Sequence, residues 1–308
     1  MTILVGTASW TDKTLIDSGK FYPAEAKSPE ARLRYYAQQF PMVEVDASYY
    51  AIPTPQTAQA WAERTPPHFT FNVKAFRLFT GHQTDPKFLE KDIREALPPS
   101  AKKMLYYRDV PTGILDELWR RFKLALLPLA RNGKLTAVHF QFAPWVINDR
   151  DGIAHVIECV DRMADHHLTM EFRNQVWFDD AHRAKTLEFQ RGLGVSHTIV
   201  DAPQLTQNSV PAVWEVTNPL LALVRLHGRN HATWNIKGAK SASDRFNYDY
   251  TQSELSELVP RLQSMERYVE VLQVVFNNNY EDQGQRNGRA LIKLLGQGST
   301  WPRLSQAL

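Results

Sequence analysis

Ionisable side chains recur at alternate positions of several short apolar segments, and this spacing could support acid–base chemistry. Side chains two residues apart in a β-strand point to the same face, so such a set would project into one shared space. Carboxylates, imidazoles and amines held in this way can transfer protons or act as nucleophiles. We predict as catalytic residues Glu171, Asp46, His227 and Lys74.

Further polar and aromatic residues of the same segments could hold a substrate. The guanidinium groups of Arg173 and Arg225 match a carboxylate or a phosphate, and aromatic rings can stack on a sugar. The other predicted substrate-binding residues are Asn277, Gln141, Asp201, Ser9, Trp10 and Tyr49. Together these residues predict a small anionic substrate, either phosphorylated or sugar-like.

The same charged groups also have a purely structural interpretation. Buried charges are costly unless they are paired, and Glu44 and Glu171 could neutralise Arg173 and Arg225 in an internal salt-bridge network. Perturbed ionisable groups cluster at functional sites, which favours a ligand site over the network. Both interpretations stay open at the level of the sequence.

The elements that would position these residues alternate regularly. Eight short apolar runs cover 3–9, 42–49, 69–75, 136–142, 167–173, 196–202, 221–228 and 270–277. Seven helical patterns cover 28–40, 55–64, 113–131, 152–165, 180–191, 252–265 and 285–295. No long helix is indicated between the sixth and seventh runs. This alternation predicts a parallel sheet with right-handed crossovers.

A closed barrel and an open doubly wound sheet both fit that pattern. The open sheet usually carries a glycine-rich first turn, whereas the first turn here, SWTDKTL at 9–15, contains no glycine. We therefore predict an α/β fold of the (β/α)8 TIM-barrel type, formed by a single domain over residues 1–308.

The alternation also assigns the two faces of each strand. Polar residues would line the lumen at Thr7, Ser9, Glu44, Asp46, Ser48, Asn72, Lys74, His139, Gln141, Glu171, Arg173, Asp201, Arg225, His227, Gln273 and Asn277. Apolar residues would face the helices at Val43, Val45, Phe71, Val73, Phe140, Phe142, Met170, Phe172, Val224 and Leu226. The polar set is densest toward the strand C-terminal ends, where barrel enzymes build their active sites.

The longest insertion follows the third run and spans about residues 77–111. Its basic and acidic residues are mixed, so it is not a plain basic patch. Long loops over a barrel mouth often act as lids. We predict a lid here, with a solvated helical excursion as the alternative.

Composition limits the class of protein. The chain has 308 residues, a formal net charge of +3 and a mean hydropathy of −0.40. This charge balance argues against a dedicated nucleic-acid coat protein or a membrane-surface binder, and no apolar run approaches the roughly 18 residues of a membrane span. The single cysteine, Cys159, excludes an internal disulfide framework. We expect a cytoplasmic protein without a membrane partner.

Cofactor signals are absent from the sequence. It has no phosphate-binding loop and no other nucleotide-cofactor motif. A divalent metal is compatible with carboxylates and imidazoles on several strands, but no spacing defines a metal site. The triplet at 165–167, Asp-His-His, precedes the fifth run, at the bottom of the predicted barrel, and is interpreted as a helix C-terminal region.

Short motifs follow one another along the chain in a specific order. They are GTASW at 6–10, FYP at 21–23, YYAQQF at 35–40, VEVDASYYAIP at 43–53, TPPHFTFNVKAF at 65–76, QFAPW at 141–145, MEFRNQVW at 170–177, VRLHGR at 224–229 and FNN at 276–278. Together they resemble the domain-of-unknown-function 72 family, also called YecE-like. The resemblance implies a TIM barrel without an established activity. The recurrent positions of the family coincide with Lys74, Glu171, Arg173, Arg225, His227 and Asn277. The chain departs from the family at Asn174, where histidine is usual.

Three classes of function follow from these residues. The first is an enzyme that acts on a small anionic substrate by acid–base chemistry, with hydrolase, lyase and isomerase reactions all open. The second is a nucleic-acid-processing barrel enzyme, metal-dependent and nuclease-like, which the pI of about 8.8 and the many aromatics allow. The third is a non-catalytic binding protein. The oligomeric state is not predicted.

Overall fold

The described part of the chain forms a closed barrel of eight parallel strands in sequence order, with β1 paired to β8. The computed structural model describes residues 2–99, 102–204, 209–234, 238, 242–298 and 301. The strands are β1 (Thr2–Ala8), β2 (Met42–Val45), β3 (Thr70–Lys74), β4 (Leu135–Gln141), β5 (Leu168–Glu171), β6 (Ser196–Asp201), β7 (Leu221–Leu226) and β8 (Val271–Phe276). The predicted single-domain (β/α)8 barrel and its eight strands are confirmed.

Helices surround the barrel. Within the described residues they are α1 (Lys13–Ser18), α2 (Pro29–Gln39), α3 (Pro55–Glu63), α4 (Lys91–Ala96), α5 (Thr112–Arg131), α6 (Arg150–Arg162), α7 (Arg183–Gly192), α8 (His231–Trp234), α9 (Gln252–Glu266) and α10 (Gln283–Leu294). The seven predicted helices are confirmed, and the short α1, α4 and α8 were not predicted. Between β6 and β7 no helix forms in the described residues, and 205–208 lie outside them. None of the helices in the described ranges combines the length and apolar character needed to cross a membrane.

Helix starts follow from local hydrogen-bonding chemistry. The Ser28 hydroxyl accepts a hydrogen bond from the Ala31 amide at 3.0 Å and begins α2. At α9, Thr251 and Glu254 form a reciprocal capping box. Because the eight strands are parallel, the loops that follow them all lie at one end of the barrel.

The two faces of the strands divide as the sequence pattern predicts. The apolar positions assigned to the helix side, from Val43 to Leu226, are all buried in one large core cluster. A smaller apolar cluster fills the lower lumen, and it includes Leu4, Met42, Ala137, Leu221, Leu223 and Val271. One buried polar pair, Asn72 and Gln273, lies in register with these apolar residues and is joined by a hydrogen bond of 2.6 Å. The charged side chains of the lumen lie toward the strand C-terminal ends.

Two predicted lumen positions face the helices instead. Thr7 is in register with Phe276, and its hydroxyl lies 2.9 Å from the Tyr36 hydroxyl. Asp201 is in register with Leu226, which faces the helices, whereas Thr198 and Val200 point into the lumen. The prediction that Thr7 and Asp201 line the lumen is wrong, because each lies on the face of its strand that points toward the helices.

The insertion at 77–111 packs against the outer helices. Phe79 stacks on Trp119 of α5 with ring centroids 3.7 Å apart, and the Tyr107 hydroxyl donates to Glu158 of α6 at 2.7 Å. Arg121 of α5 forms ion pairs with Glu90 and Asp92. The insertion is thus anchored to the side of the barrel. A lid movement stays a prediction.

Candidate active site at the barrel mouth

Glu171, at the end of β5, is the centre of a buried polar network. Its Oε1 accepts hydrogen bonds from Gln141 Nε2 at 2.7 Å, Arg173 Nη1 at 3.0 Å and His227 Nε2 at 3.2 Å. Its Oε2 accepts one from Arg225 Nη1 at 2.5 Å. Strands β4, β5 and β7 thus bring together five of the predicted site residues.

The charge of Glu171 is stabilised by these partners. Burial raises the pKa of the carboxyl, but Arg225 and His227 outweigh burial, and the pKa of Glu171 lies well below its usual range. An ionised carboxylate that already accepts four hydrogen bonds is a poor proton acceptor near neutral pH. Glu171 is therefore suited to holding the arginines and His227 in place.

His227 is held as a neutral imidazole. Burial lowers its pKa to about 3, against the attraction of Glu171. Because Glu171 can only accept, Nε2 of His227 carries the proton, and Nδ1 accepts from Asn277 Nδ2 at 2.7 Å. The Phe246 ring covers the imidazole, with centroids 5.7 Å apart. Both ring nitrogens are thus committed to protein partners.

A second layer of the network lies deeper in the lumen. Arg225 Nη2 donates to Glu44 Oε1 at 2.6 Å, so one guanidinium bridges Glu44 and Glu171. His139 Nε2 lies 3.5 Å from Glu171 Oε2, and burial lowers the pKa of His139. The internal salt-bridge network considered from the sequence is therefore present, and its charges are fully buried.

Asp46 and Lys74 form an ion pair nearer the surface. Asp46 Oδ1 lies 2.7 Å from Lys74 Nζ, and 23% of the aspartate side chain and 8% of the lysine side chain are exposed. Burial raises the pKa of Asp46, but Lys74 outweighs it, and the pKa is lowered overall. The Ser48 hydroxyl lies within 2.7 Å of the carbonyl oxygens of Val45 and Lys74, which ties the turn after β2 to the end of β3. This pair is accessible to a ligand, unlike Glu171.

Two arginines that the sequence analysis did not single out also reach the mouth. The Arg77 guanidinium lies 5.3 Å from the centre of the Tyr49 ring, and Lys74 Nζ lies 4.6 Å from the same ring. Burial and the charge of Arg173 lower the pKa of Arg245. Within the described ranges, neither Arg77 nor Arg245 has a carboxylate within ion-pair distance. We call Lys74, Arg77, Arg173 and Arg245 the cationic rim.

No periodic signal could have found Arg77 and Arg245. Both residues lie beyond the strand ends, Arg77 at the start of the insertion and Arg245 in the short helical turn at 242–246. His82 was missed for the same reason, and its pKa is lowered to about 3 by burial and by Lys74. Its ring contacts Tyr49, with centroids 5.3 Å apart.

The remaining predicted site residues divide between the mouth and the core. Tyr49 lies at the mouth, and Ser9 follows β1 with a strained φ of 91°. Trp10 is 6% exposed and packs edge-on against Trp61 and Phe71, so its ring lies in the core.

Asp201 belongs to a separate cluster beside the mouth. Its carboxylate lies 3.0 Å from Arg229 Nε and accepts a hydrogen bond from the Tyr250 hydroxyl at 2.7 Å. Arg229 also reaches Glu254 of α9 at 3.3 Å. These contacts tie the end of β6 to α9, and the structure does not bring Asp201 together with Glu171.

Across the described part of the chain, no three His, Cys, Asp or Glu side chains are grouped so that they could hold a metal ion. The triplet at 165–167 lies at the opposite end of the barrel, where it lines a cavity of about 830 Å³. The mouth, by contrast, presents carboxylate, amine and guanidinium groups.

A parallel eight-stranded barrel with a charged network at its C-terminal mouth places this protein among the (β/α)8 barrels. More specifically, residues 4–307 match the family described as "Protein of unknown function DUF72", and the chain belongs to that family.

Individual relatives agree with this assignment. The UPF0759 protein YunF of Bacillus subtilis (strain 168) is 32% identical over 295 residues, which cover 95% of this chain and 94% of the relative. A crystal structure of a DUF72 family protein from Enterococcus faecalis V583 superposes with a TM-score of 0.77 at 25% identity, covering 99% of this chain and all of that one. A DUF72 family protein from Thermotoga maritima MSB8 has a TM-score of 0.74 at 24% identity, with 96% of this chain and 100% of that chain covered, and shows the fold alone.

Proposed function

We propose that this protein is an enzyme that acts on a small anionic substrate at the barrel mouth, with Asp46 and Lys74 transferring the proton. One observation carries the proposal: a partly exposed ion pair lies beside Arg77, whose guanidinium has no carboxylate partner within the described residues. Barrel enzymes place their chemistry at this end of the strands. The cationic rim would bind the anion next to the ion pair.

Substrate binding itself would prepare the base. Lys74 keeps the pKa of Asp46 low. An anion that bound Lys74 would share its charge and weaken its hold on Asp46, so the pKa of Asp46 would rise toward the range useful for proton transfer. Lys74 would then stabilise negative charge that develops on the substrate.

Glu171 and His227 take a different role here from the catalytic one predicted from the sequence. Both are fully buried and hydrogen-bonded to protein partners. In this proposal they are positioning residues, since they hold Arg173 at the edge of the substrate site. Gln141 and Asn277 complete that support.

The proposal is tested by activity and binding together. Phosphorylated sugars and organic acids are incubated with the protein, and product formation is followed by NMR. Asp46→Asn should slow turnover by about 10²–10⁴-fold while substrate affinity changes only a few-fold. Asp165→Asn, which changes an exposed carboxylate at the opposite end of the barrel, is the matched control and should leave turnover unchanged.

Two results would oppose the proposal. Full turnover in both Asp46→Asn and Lys74→Met would show that the ion pair is not the proton-transfer pair. Tight anion binding by the wild type without turnover of any compound would instead favour the non-catalytic binding protein.

A polyanion is the second candidate ligand, because exposed aromatic rings lie beside the cationic rim. Trp145 is 54% exposed and Tyr50 is 40% exposed. The His82 ring contacts Trp145 and Tyr49, and the Tyr49 ring in turn contacts Tyr50. Fluorescence anisotropy with a short single-stranded DNA, with and without Mg²⁺, separates the two ligands. Affinity that falls steeply between about 50 and 200 mM salt supports a nucleic-acid substrate, whereas weak, salt-independent binding counts against it.

A further inference from the structure

We propose that the anionic group of the substrate is a phosphate monoester in its dianionic form, held between Arg173 and Arg245 at the mouth. This inference rests on the proposed function and specifies its substrate class. It places the phosphoryl group on the side of the mouth formed by β5 and by the segment after β7. The neighbouring pair, Asp46 and Lys74, then faces the part of the substrate that reacts.

Two positively charged side chains, Arg173 and Arg245, are held at the same edge of the mouth. Arg173 uses Nη1 for Glu171, at 3.0 Å, and its guanidinium carbon lies 5.2 Å from the centre of the Trp234 ring. Arg245 directly precedes Phe246, whose ring centroid lies 6.1 Å from that of Trp234, and burial together with the charge of Arg173 lowers the pKa of Arg245. Two neighbouring guanidiniums repel each other, and a ligand with two negative charges relieves this more completely than a monoanion.

The carboxylates at the mouth, Glu171 and Asp46, already pair with other side chains. Glu171 is shared among Arg225, Arg173, His227 and Gln141. Asp46 is bound to Lys74. Within the described ranges, no carboxylate lies within ion-pair distance of Arg245, so an external anion can pair with it without displacing a protein carboxylate.

Two buried hydrogen-bond donors near the mouth have no acceptor among the described residues. Nε of Arg77 and Nε1 of Trp234 are buried and have no hydrogen-bond partner among the described residues. Trp234 is only 2% exposed and lies against Arg173. A buried donor without an acceptor destabilises the folded state, so each is expected to find an acceptor when the site is occupied. Phosphate oxygens are strong acceptors and a phosphoryl group presents three of them.

The segment that carries Arg245 is held in place before any ligand binds. The Ser243 hydroxyl lies 2.9 and 3.0 Å from the two carboxylate oxygens of Asp12, after β1. The Arg245 carbonyl accepts from the Thr233 hydroxyl at 3.0 Å, and Phe246 packs on His227. A site fixed in this way loses less entropy on binding, and phosphate sites of (β/α)8 barrels commonly form from the loops after strands seven and eight.

The experiment is isothermal titration calorimetry with glycerol 3-phosphate, sulfate and acetate at about pH 5 and about pH 7.5. A phosphate monoester dianion takes up a proton at about pH 6, so at the lower pH the dianion makes up roughly a tenth of the total monoester. Sulfate stays dianionic throughout and therefore reports any change in the charge of the protein itself. The titratable groups around the mouth are Asp12, Asp46, His82 and His231. We expect the affinity for glycerol 3-phosphate relative to sulfate to be about tenfold weaker at the lower pH.

Variants localise the site. Arg245→Gln and Arg173→Gln should each weaken glycerol 3-phosphate binding by at least about tenfold. Arg267→Gln removes one exposed positive charge at the C-terminal end of α9, at the opposite end of the barrel from the mouth, and should change affinity less than twofold. If Arg173→Gln fails to fold because Glu171 loses a partner, Arg245→Gln still provides the test.

The outcomes separate the two proposals. Binding of glycerol 3-phosphate with a pH-independent ratio to sulfate, or equally tight binding of acetate, would overturn the dianion inference and leave an anionic substrate in place. Unchanged affinity in Arg245→Gln would overturn the proposed location. Binding of none of the three anions at millimolar concentration would overturn both this inference and the proposed function.

Discussion

Replacing Glu171 with glutamine removes the charge at the centre of the lumen while keeping the shape of the side chain. Glutamine has one acceptor oxygen, so its NH₂ group must face either Arg225 Nη1 or the donors of Gln141, Arg173 and His227. Either orientation places donors against donors in a site that excludes water. Arg225, fully buried, then retains Glu44 as its one charged partner among the residues that the structure describes.

The expected loss of stability follows from this geometry. Removing one partner of a buried ion pair costs about 3–5 kcal/mol, because the other charge stays buried without full compensation. With an unfolding entropy of about 2.1 cal/mol/K per residue, a chain of 308 residues loses about 1.5 °C in Tm per kcal/mol. The Tm of Glu171→Gln should therefore fall by about 5–8 °C.

Thermal melting at pH about 7, followed by circular dichroism, measures this difference. The control is Glu30→Gln, since Glu30 pairs with Arg34 on the surface of α2 at 3.0 Å with 47% of its side chain exposed. Exposed pairs contribute about 0–1 kcal/mol, so the control should shift Tm by no more than about 1.5 °C. An unchanged or higher Tm for Glu171→Gln would refute the reasoning, because the charge would then weaken the fold and serve a ligand.

The Tm difference between wild type and Glu171→Gln should also depend on pH. The folded protein holds the pKa of Glu171 below its ordinary value of 4.5, so the ionised carboxylate stabilises the fold above that pH. The stabilisation is lost as the pH falls through the lower pKa of the folded state. The Tm difference between wild type and Glu171→Gln should therefore be constant down to about pH 5 and shrink below about pH 4.5.

Three further predictions concern His227, Ser9 and Gly228. Burial lowers the pKa of His227 from 6.5 to about 3. Between those pH values the imidazole is protonated in the unfolded chain and neutral in the folded one, so the wild type loses stability as the pH falls. His227→Gln should show a shallower loss in urea unfolding at pH about 7 and about 5, and equal slopes would contradict this. Ser9→Gly should raise the free energy of unfolding by about 1 kcal/mol, since φ is 91° there, and a lower value in urea unfolding would show that the strain is absent. Gly228→Ala should lower it by at least about 2 kcal/mol, because φ is 86° and a Cβ would lie 2.5 Å from Tyr248 Cβ; an unchanged midpoint would argue against that contact.

The sequence predicts those parts of the site that obey strand periodicity. Glu171 and Arg173, or Arg225 and His227, occupy alternate positions, so their shared face could be inferred without a structure. Their hydrogen-bond saturation could not, because it depends on the closure of the barrel. That saturation moves Glu171 from proton transfer to positioning in the proposed function.

Periodicity is uninformative where strands end and loops begin. Arg77 and Arg245 reach the mouth from irregular segments whose course depends on contacts with distant residues, such as Ser243 with Asp12. Asp201 and Trp10 show the opposite error. They lie near strand ends in the sequence, yet one turns toward α9 and the other toward the core.

The pairing of β1 with β8 has a consequence for how the chain folds. The register runs from Thr2 beside Val271 to Thr7 beside Phe276, so the seam joins segments at opposite ends of the sequence. Closing such a long loop is entropically slow, and contacts of high sequence separation form late. Until then, one edge of β1 exposes unpaired amide and carbonyl groups that attract other strands. During folding, the edge of β1 that pairs with β8 therefore stays unpaired longest. We expect misassembly between copies of the chain to begin at this edge.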